Sequence, residues 1–495
     1  MGSFTEEYKP FGLRVIRVIS GENELSALEF MKHYRLHNVC LLDVNRGFEK
    51  RYNSNGWPFL LLADREGKIV FKANSLIDRE MARIKPLIEE KLGALSMSND
   101  VVVDDVYYIQ ETLKRSGEIE KPKRCDRFPS IACSSDGKIY VVFTRNRNGN
   151  SDIFLRVFDG KDWSEDKPVA VTKADEFDGR IIVDKNNRVW LSWTSNADGK
   201  NYNIFVATFA NPNEPIKSEQ LTQAYDDAMH SRMVCDRNGY IWVVYYKWEK
   251  MGSFSRDKEI YVRRWDDEKW SDEIQISPTD VPMYEDHSDP AIASYGDGDG
   301  VVVSWSWDFH QPQGYTKDAS SPTIFIRPIS SDLKLGKIYA MSSHNIDVTP
   351  SVIADKNDNI WCAWDSLISD KKSRANRKGL FVRGCHLKDK ENFRASENLS
   401  GTAVNVCMPS FAVNSKGLLT LVWAQNTSGN QWILQRVDFD KNKNSWLKPQ
   451  VIVEKDNPRF PSIVYDNKDN LWVAYSVETP QGREIKTEEV VPRSD

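Results

Sequence analysis

Pro461-Ser462-Ile463-Val464-Tyr465-Asp466-Asn467-Lys468-Asp469-Asn470-Leu471-Trp472-Val473-Ala474-Tyr475 decides how this chain folds, because its pattern recurs upstream along most of the sequence. The string opens on a Pro-Ser pair and continues as an apolar run of strand length. It then turns through Asp and Asn and ends as a second strand closed by an aromatic residue. Runs rich in Val, Ile, Leu and aromatics between turn formers read as β-strands, and the Asp-Asn cluster supplies a tight connection. Earlier copies include Pro129-Ser130-Ile131 with Asp136-Gly137-Lys138-Ile139-Tyr140-Val141-Val142-Phe143, and Pro350-Ser351 with Asp355 and Ile360-Trp361-Cys362-Ala363-Trp364. Others run through Asp184 to Trp193, Asp236 to Tyr245, Pro290 to Trp305 and Pro409 to Trp423.

The closing aromatics are Phe143, Trp193, Tyr245, Trp305, Trp364, Trp423 and Tyr475, spaced 50 to 60 residues apart. A third strand follows, as in Asp152-Ile153-Phe154-Leu155-Arg156 and Glu259-Ile260-Tyr261-Val262-Arg263, and a fourth opens after turns ending in Trp163 or Trp270. Several short strands repeated at such a period are the signature of propeller blades. The expected fold class is therefore multidomain: an N-terminal α/β segment followed by an all-β, seven-bladed β-propeller over residues 125–495. The last repeat lacks an outer strand, and Val102 to Gln110 is expected to supply it and close the ring. These repeats resemble sialidase-like, Asp/Trp-rich propellers. The sialidase Asp-box joins the third and fourth strands, whereas Ser134-Ser135-Asp136-Gly137 joins the first and second, so no catalytic residue carries over from that likeness.

The first hundred residues read differently. Leu13 to Ile19 alternates as a strand, Glu22 to His37 has helical spacing, and Val39 to Leu42 is a short apolar run. Phe59 to Ala63 and Lys68 to Lys72 flank the turn Asp64-Arg65-Glu66-Gly67, and Asp78 to Leu92 is a final helix. With Gly56-Trp57-Pro58-Phe59 ahead of the hairpin, this order resembles the thioredoxin fold of the redoxin/TlpA-like family. The resemblance implies that Pro58 is that family's structural cis-proline. It also implies a reactive Cys-x-x-Cys before the first strand, which this segment lacks; Cys40 stands alone in an apolar strand. The domain expectation is 1–97 thioredoxin-like but incomplete, 98–124 a linker with the ring-closing strand at about 102–110, and 125–495 the propeller.

Bulk properties exclude several classes. A net charge of −5 lacks the basic footprint of nucleic-acid binding, and no apolar run is long enough to span a bilayer. Seven cysteines form no Cys-x-x-Cys pair, so zinc-ribbon and dithiol readings fail on spacing. With no secretory signal ahead of the first strand the sequence reads as cytoplasmic; an upstream signal and dithiol would make it extracytoplasmic.

Candidate site residues come from loops at one propeller mouth. Asp178, His230 and Asp289 share one repeat position in consecutive blades, so ring geometry aims them together; as acid, base or partner to one another they are the candidate catalytic set. His287, Asp286, Trp307, His310, His344, Asp347, Trp248 and Arg127 are candidate ligand-binding residues, with the tryptophans as platforms for a sugar. No cofactor is identified and no residue set reads as a metal site, although a divalent ion could be held at this face. The repeated third-strand arginines Arg156, Arg263, Arg327, Arg383 and Arg436 read as structural, as do Trp163, Trp270 and Trp446. The leading functional expectation is a non-redox binding or scaffold protein, recognising a small-molecule, saccharide or protein ligand at an acidic, His- and Trp-rich face. The alternatives are a glycoside hydrolase or lyase using Asp and His of blades two to five, and a fragment of a thiol-disulfide oxidoreductase whose dithiol lies upstream.

Overall fold

The computed structural model describes residues 16–20, 39–43, 60–63, 69–73 and 105–108, and then 124–490 apart from 148–149, 198, 213, 215, 224–226, 252–254, 280–284, 297–299, 310–322, 343–345, 370–375, 388–392, 402–404, 428–430 and 481. Every regular element among them is a strand, and among the described residues no helix is long and apolar enough to cross a membrane. The chain divides into two compact units, Met1–Glu120 and Lys121–Asp495.

In the first unit, Ile16–Ser20 pairs in parallel with Val39–Asp43, and Val39–Asp43 in turn pairs in parallel with Asp105–Tyr108. Leu60–Ala63 and Ile69–Ala73 form an antiparallel hairpin. This corrects the expectation for 102–110: its described core, Asp105–Tyr108, adds to the N-terminal sheet and closes no ring. The two expected helices and Pro58 lie outside the described residues.

The second unit is a succession of antiparallel meanders. Its sheets start on Arg124–Cys133, Glu176–Val183, Ala228–Cys235, Glu285–Tyr295, Ile346–Ala354, Asn405–Val413 and Arg459–Tyr465, and each continues through strands paired in chain order. They are called here the first to the last sheet in that order. Each starting strand lies against the starting strand of the next sheet, and the last lies against the first. Closure is also hydrogen-bonded: Gly482–Glu489, third strand of the last sheet, pairs in parallel with Arg124–Cys133 through Gly482↔Arg124 and Arg483↔Cys125. The arrangement is β-propeller-like.

Local chemistry explains why the repeat holds. The turn Asp between first and second strands accepts the indole N–H of the Trp that follows: Trp190 to Asp184 at 3.1 Å, Trp242 to Asp236 at 2.8 Å, Trp472 to Asp466 at 3.1 Å. A buried indole thereby keeps its donor satisfied while its ring fills the space between sheets. The same turns link sheet to sheet: Ser135 N to Asn187 (2.9 Å), Lys185 to Asn238 O (2.7 Å), Ser415 N to Asp469 (2.7 Å), and Asn467 to Ser135 O (3.1 Å) across the closure. Trp163 packs on Trp472, Trp270 on Trp190 and Trp446 on Trp361, each across a sheet boundary.

The third-strand arginines are straps. Arg263 donates to Leu221 O (2.5 Å), Arg327 to Ile276 O (2.7 Å), Arg383 to Met341 O (3.3 Å) and Arg156 to Ile485 O (3.3 Å), in every case a carbonyl of the preceding sheet. Arg436 departs from the pattern and pairs with Asp438.

Candidate functional site

Each starting strand breaks its ladder at one register. The pairing shifts between Arg127 and Ser130, Phe177 and Arg180, Met229 and Arg232, Ser288 and Ala291, Val348 and Ser351, Cys407 and Ser410, and Arg459 and Ser462. Inside every bulge sits a non-glycine residue in the left-handed region: Phe128, Asp178, His230, Asp289, Thr349, Met408 and Phe460, with φ between 51° and 59°. Such backbone costs on the order of 1–3 kcal/mol per residue and survives only where the surroundings over-determine it. A bulge re-aims the side chain it carries. The fold thus turns one residue per sheet, and the sequence chooses which.

That choice divides the ring. Phe128 and Phe460 from the first and last sheets pack together with ring centroids 4.8 Å apart. The second, third and fourth sheets turn Asp178, His230 and Asp289 instead.

A second position varies in the same sector. Two residues beyond the turned one stands Ser130, Ser351, Ser410 or Ser462. Three of these hydroxyls accept the amide of the next sheet's starting strand: Ile181 N to Ser130 (3.3 Å), Ile463 N to Ser410 (3.2 Å) and Ile131 N to Ser462 (3.3 Å). In the second, third and fourth sheets the brace is replaced by Arg180, Arg232 and Ala291.

The replacements make one network. Both guanidiniums bind the Asp178 carboxylate, Arg180 at Oδ1 and Arg232 at Oδ2 (2.9 Å). Arg232 also donates to Ser231 O (2.7 Å) and to His230 Nε2. On its other side His230 places Nδ1 3.6 Å from Asp289 Oδ1, and Asp289 Oδ2 accepts the Thr349 amide at 3.3 Å. The Asp178 amide is held by Thr144 Oγ1 (3.0 Å). Asp178 is fully buried and the His230 and Asp289 side chains are 4% and 6% exposed, while Arg180 and Arg232 reach 13% and 19%. The arginine side chains are therefore the most exposed members of the cluster.

Charge states follow from the contacts. Burial alone would raise Asp178, but Arg180 and Arg232 outweigh it and hold the carboxyl below its usual range. Burial, seconded by the Arg232 charge, drives His230 down to about 3. At neutral pH the row is an ionised Asp178 clamped by two arginines beside a neutral imidazole. With Arg232 donating to Nε2, the ring proton belongs on Nδ1, facing Asp289.

The other expected residues are placed as follows. His287 is fully buried; its Nδ1 accepts Trp305 Nε1 at 3.0 Å, its ring lies 4.8 Å from Trp307, and burial pushes it down to about 3. Asp286 accepts the Lys258 amide (3.2 Å), as Asp175 accepts Ser151 N (3.0 Å) and Asp227 accepts Tyr202 N (2.7 Å); it is a repeated peg between sheets. Trp248 and Trp307, expected as stacking platforms, are 7% and 8% exposed and packed within the same core cluster, which corrects that expectation: strand alternation turns them inward. Asp347 and Arg127 are buried, Asp347 opposite Ser366 and Arg127 just before the turned Phe128. His310 and His344 lie outside the described residues. The face described as acidic is, at its centre, tipped by arginine. Among the described residues no group of three or more His, Cys, Asp or Glu could hold a metal ion. Cys133, Cys235, Cys362 and Cys385 are free, and burial raises the Cys133 and Cys385 thiols to about 11 and about 12.

Arg180 and Arg232 were not among the sequence candidates. The signal that identifies them is a departure from the repeat: arginine where sister sheets carry serine.

No protein-family model matches the chain, and no curated protein matches it either. Among solved structures, a polysaccharide lyase of family PL25, an ulvan lyase bound to -[GlcA(1-4)Rha3S]-, is similar with a TM-score of 0.52 and 12% identity, over 74% of this chain and 94% of that one. A protein of unknown function from Dyadobacter fermentans DSM 18053 gives a TM-score of 0.45 at 12% identity over 75% of this chain and 95% of that chain. The NanB sialidase from Streptococcus pneumoniae gives 0.40 at 10%, over 88% and 82%. The likeness to the lyase shows a shared fold, the β-propeller-like succession of sheets described above.

Proposed function

We propose that this chain recognises an acidic saccharide, with a carboxylate or sulfate of the sugar received by Arg180 and Arg232. The observation that carries the reading is the paired replacement of the serine brace by two arginines, both anchored on the buried Asp178 and both partly exposed. Planar guanidiniums suit carboxylate and sulfate geometry, and Asp178 fixes their orientation before ligand arrives. The saccharide class is supported by the fold's similarity to the PL25 lyase. On this reading residues 125–495 are a seven-bladed propeller. Residues 1–97 are a non-redox, thioredoxin-like partner domain, supported by the parallel pairing of Ile16–Ser20 with Val39–Asp43 and by the hairpin.

The test is calorimetric binding of polygalacturonate, a sulfated polysaccharide and a neutral glucan to the full chain. The triple variant Asp178→Asn, Arg180→Ser, Arg232→Ser removes both charges without orphaning the buried carboxylate. Wild type is expected to bind an acidic polymer. The variant should lose at least about 100-fold, from two charge-assisted contacts of roughly 1.5–3 kcal/mol each. Equal affinity for acidic and neutral polymers, or an unaffected variant, refutes the reading.

A catalytic version has one observation in its favour: His230 is neutral and backed by Asp289. A neutral base beside a cation that neutralises a uronate suits elimination. With Arg232 transferred from Nε2 to the uronate carboxylate, that freed nitrogen takes the C5 proton, the C4–O bond breaks with its electrons going to the leaving oxygen, and a C4–C5 double bond forms. Hydrolysis by paired carboxyls fits less well, since Asp178 stays ionised between two arginines. Ultraviolet absorbance of an unsaturated uronate, lost in His230→Gln, separates this version from simple binding.

A further inference from the structure

We propose that Asp365 is a buried, proton-holding positioning residue that tunes the Asp289–His230 pair from inside the wall of the ring. Asp365 lies on Ile360–Ser369, second strand of the fifth sheet, directly across from Val348. It is fully buried, and neither carboxylate oxygen is hydrogen-bonded. A carboxylate this deeply buried, with no well-formed hydrogen bond, cannot cheaply stay ionised, so the group carries a proton. Its neighbours tie it to the candidate site. Thr349, the turned residue of this sheet, holds its amide on Asp289 Oδ2 and its unbonded hydroxyl near Asp365.

Two charged groups act on Asp365. Lys378, buried on the third strand of the same sheet, favours ionisation, and Asp289, on the starting strand of the preceding sheet, opposes it. Burial dominates and raises the carboxyl to about 7. While Asp365 keeps its proton, His230 feels the Asp178 and Asp289 carboxylates alone. Ionisation of Asp365 sets two buried like charges against each other and changes the field that the Asp289–His230 pair feels. The physiological pH range thus falls on a group that never touches ligand.

The inference rests on taking the Asp178–Asp289 row as the working site, and its test needs no ligand. Side-chain nitrogen and proton shifts of His230 are followed by NMR from pH 5 to 9, with His230→Gln identifying the signals. Wild type is expected to keep one neutral tautomer throughout, yet to show an inflection near pH 7. Asp365→Asn should abolish the inflection, and Thr349→Val, which removes the hydroxyl and keeps the shape, should move it to higher pH. If Asp365→Asn leaves the curve unchanged, or if His230 itself gains a proton across that range, the proposal is wrong. Failure of acidic polymers to bind while the inflection vanishes in Asp365→Asn would sink the saccharide reading alone.

Discussion

Ala291→Ser should stabilise this protein, and the reason goes to the centre of the argument. Ala291 occupies the place where Ser130, Ser410 and Ser462 accept an amide from the next sheet at 3.2–3.3 Å. Val352 stands in the fifth sheet where Ile181, Ile463 and Ile131 stand in theirs. A hydroxyl at 291 is therefore positioned to take the Val352 amide. A net hydrogen bond contributes about 0.5–1.5 kcal/mol, and the added oxygen needs little room. The reciprocal change, Ser410→Ala, leaves the Ile463 amide without its acceptor and should cost about 1–3 kcal/mol. Both are measured on the full chain by urea unfolding followed through tryptophan fluorescence. If Ser410→Ala is neutral, the brace does not stabilise the ring. If Ala291→Ser destabilises by more than about 1 kcal/mol, the fourth sheet lacks serine for reasons of packing, not function.

Three further outcomes follow from the buried charges. Asp178 has a lowered folded value, so its stabilisation is present above the unfolded carboxylate value and lost as pH falls through the folded one; Asp178→Asn should be least stable relative to wild type near pH 7, with the gap closing below about pH 4. Glu259, raised by burial to about 7 despite Ser277 and Gln275, works in the opposite sense: its protonated form favours the fold at low pH, and stability is lost between about pH 4.5 and 7. Glu259→Gln should reduce the pH 5 to pH 8 loss by up to about 3 kcal/mol, read from unfolding midpoints at the two pH values. Burial-raised Cys133, Cys362 and Cys385 should resist alkylation at pH 7.5 in the native protein and react fully once unfolded; peptide mapping that finds any of them modified in the folded state contradicts their placement.

The repeat was legible because its determinants are local. Strand alternation, the turn Asp and the Trp six residues on all lie within a dozen positions, and the Asp–Trp hydrogen bond closes inside that window. The common repeat position of Asp178, His230 and Asp289 was legible for the same reason. Long-range partners were not. Val102 to Gln110 has the composition of a strand, but nothing in a short strand's own sequence names the edge it joins, and its described part, Asp105–Tyr108, pairs with Val39–Asp43. Trp248 and Trp307 looked like ligand platforms because a loop-proximal Trp is ambiguous until the neighbouring sheet is known. Arg180 and Arg232 escaped because an arginine beside a strand start is unremarkable alone; their meaning lies in the serine they replace.

That replacement separates two kinds of constraint on one strand. The left-handed bulge is imposed on every starting strand, and it accepts Phe, Met, Thr, His and Asp alike. Since side-chain chemistry does not set the backbone there, the chemistry is free to vary without unmaking the ring. The serine two residues on is different: it joins adjacent sheets, so giving it up weakens a boundary. The sheets that give it up most fully are consecutive, and the same three turn ionisable side chains at the bulge. Two arginines in place of two braces would scatter around the ring if drift alone had placed them. Their convergence on one buried carboxylate, with His230 and Asp289 continuing the row, is what marks this sector as the place where stability was exchanged for recognition.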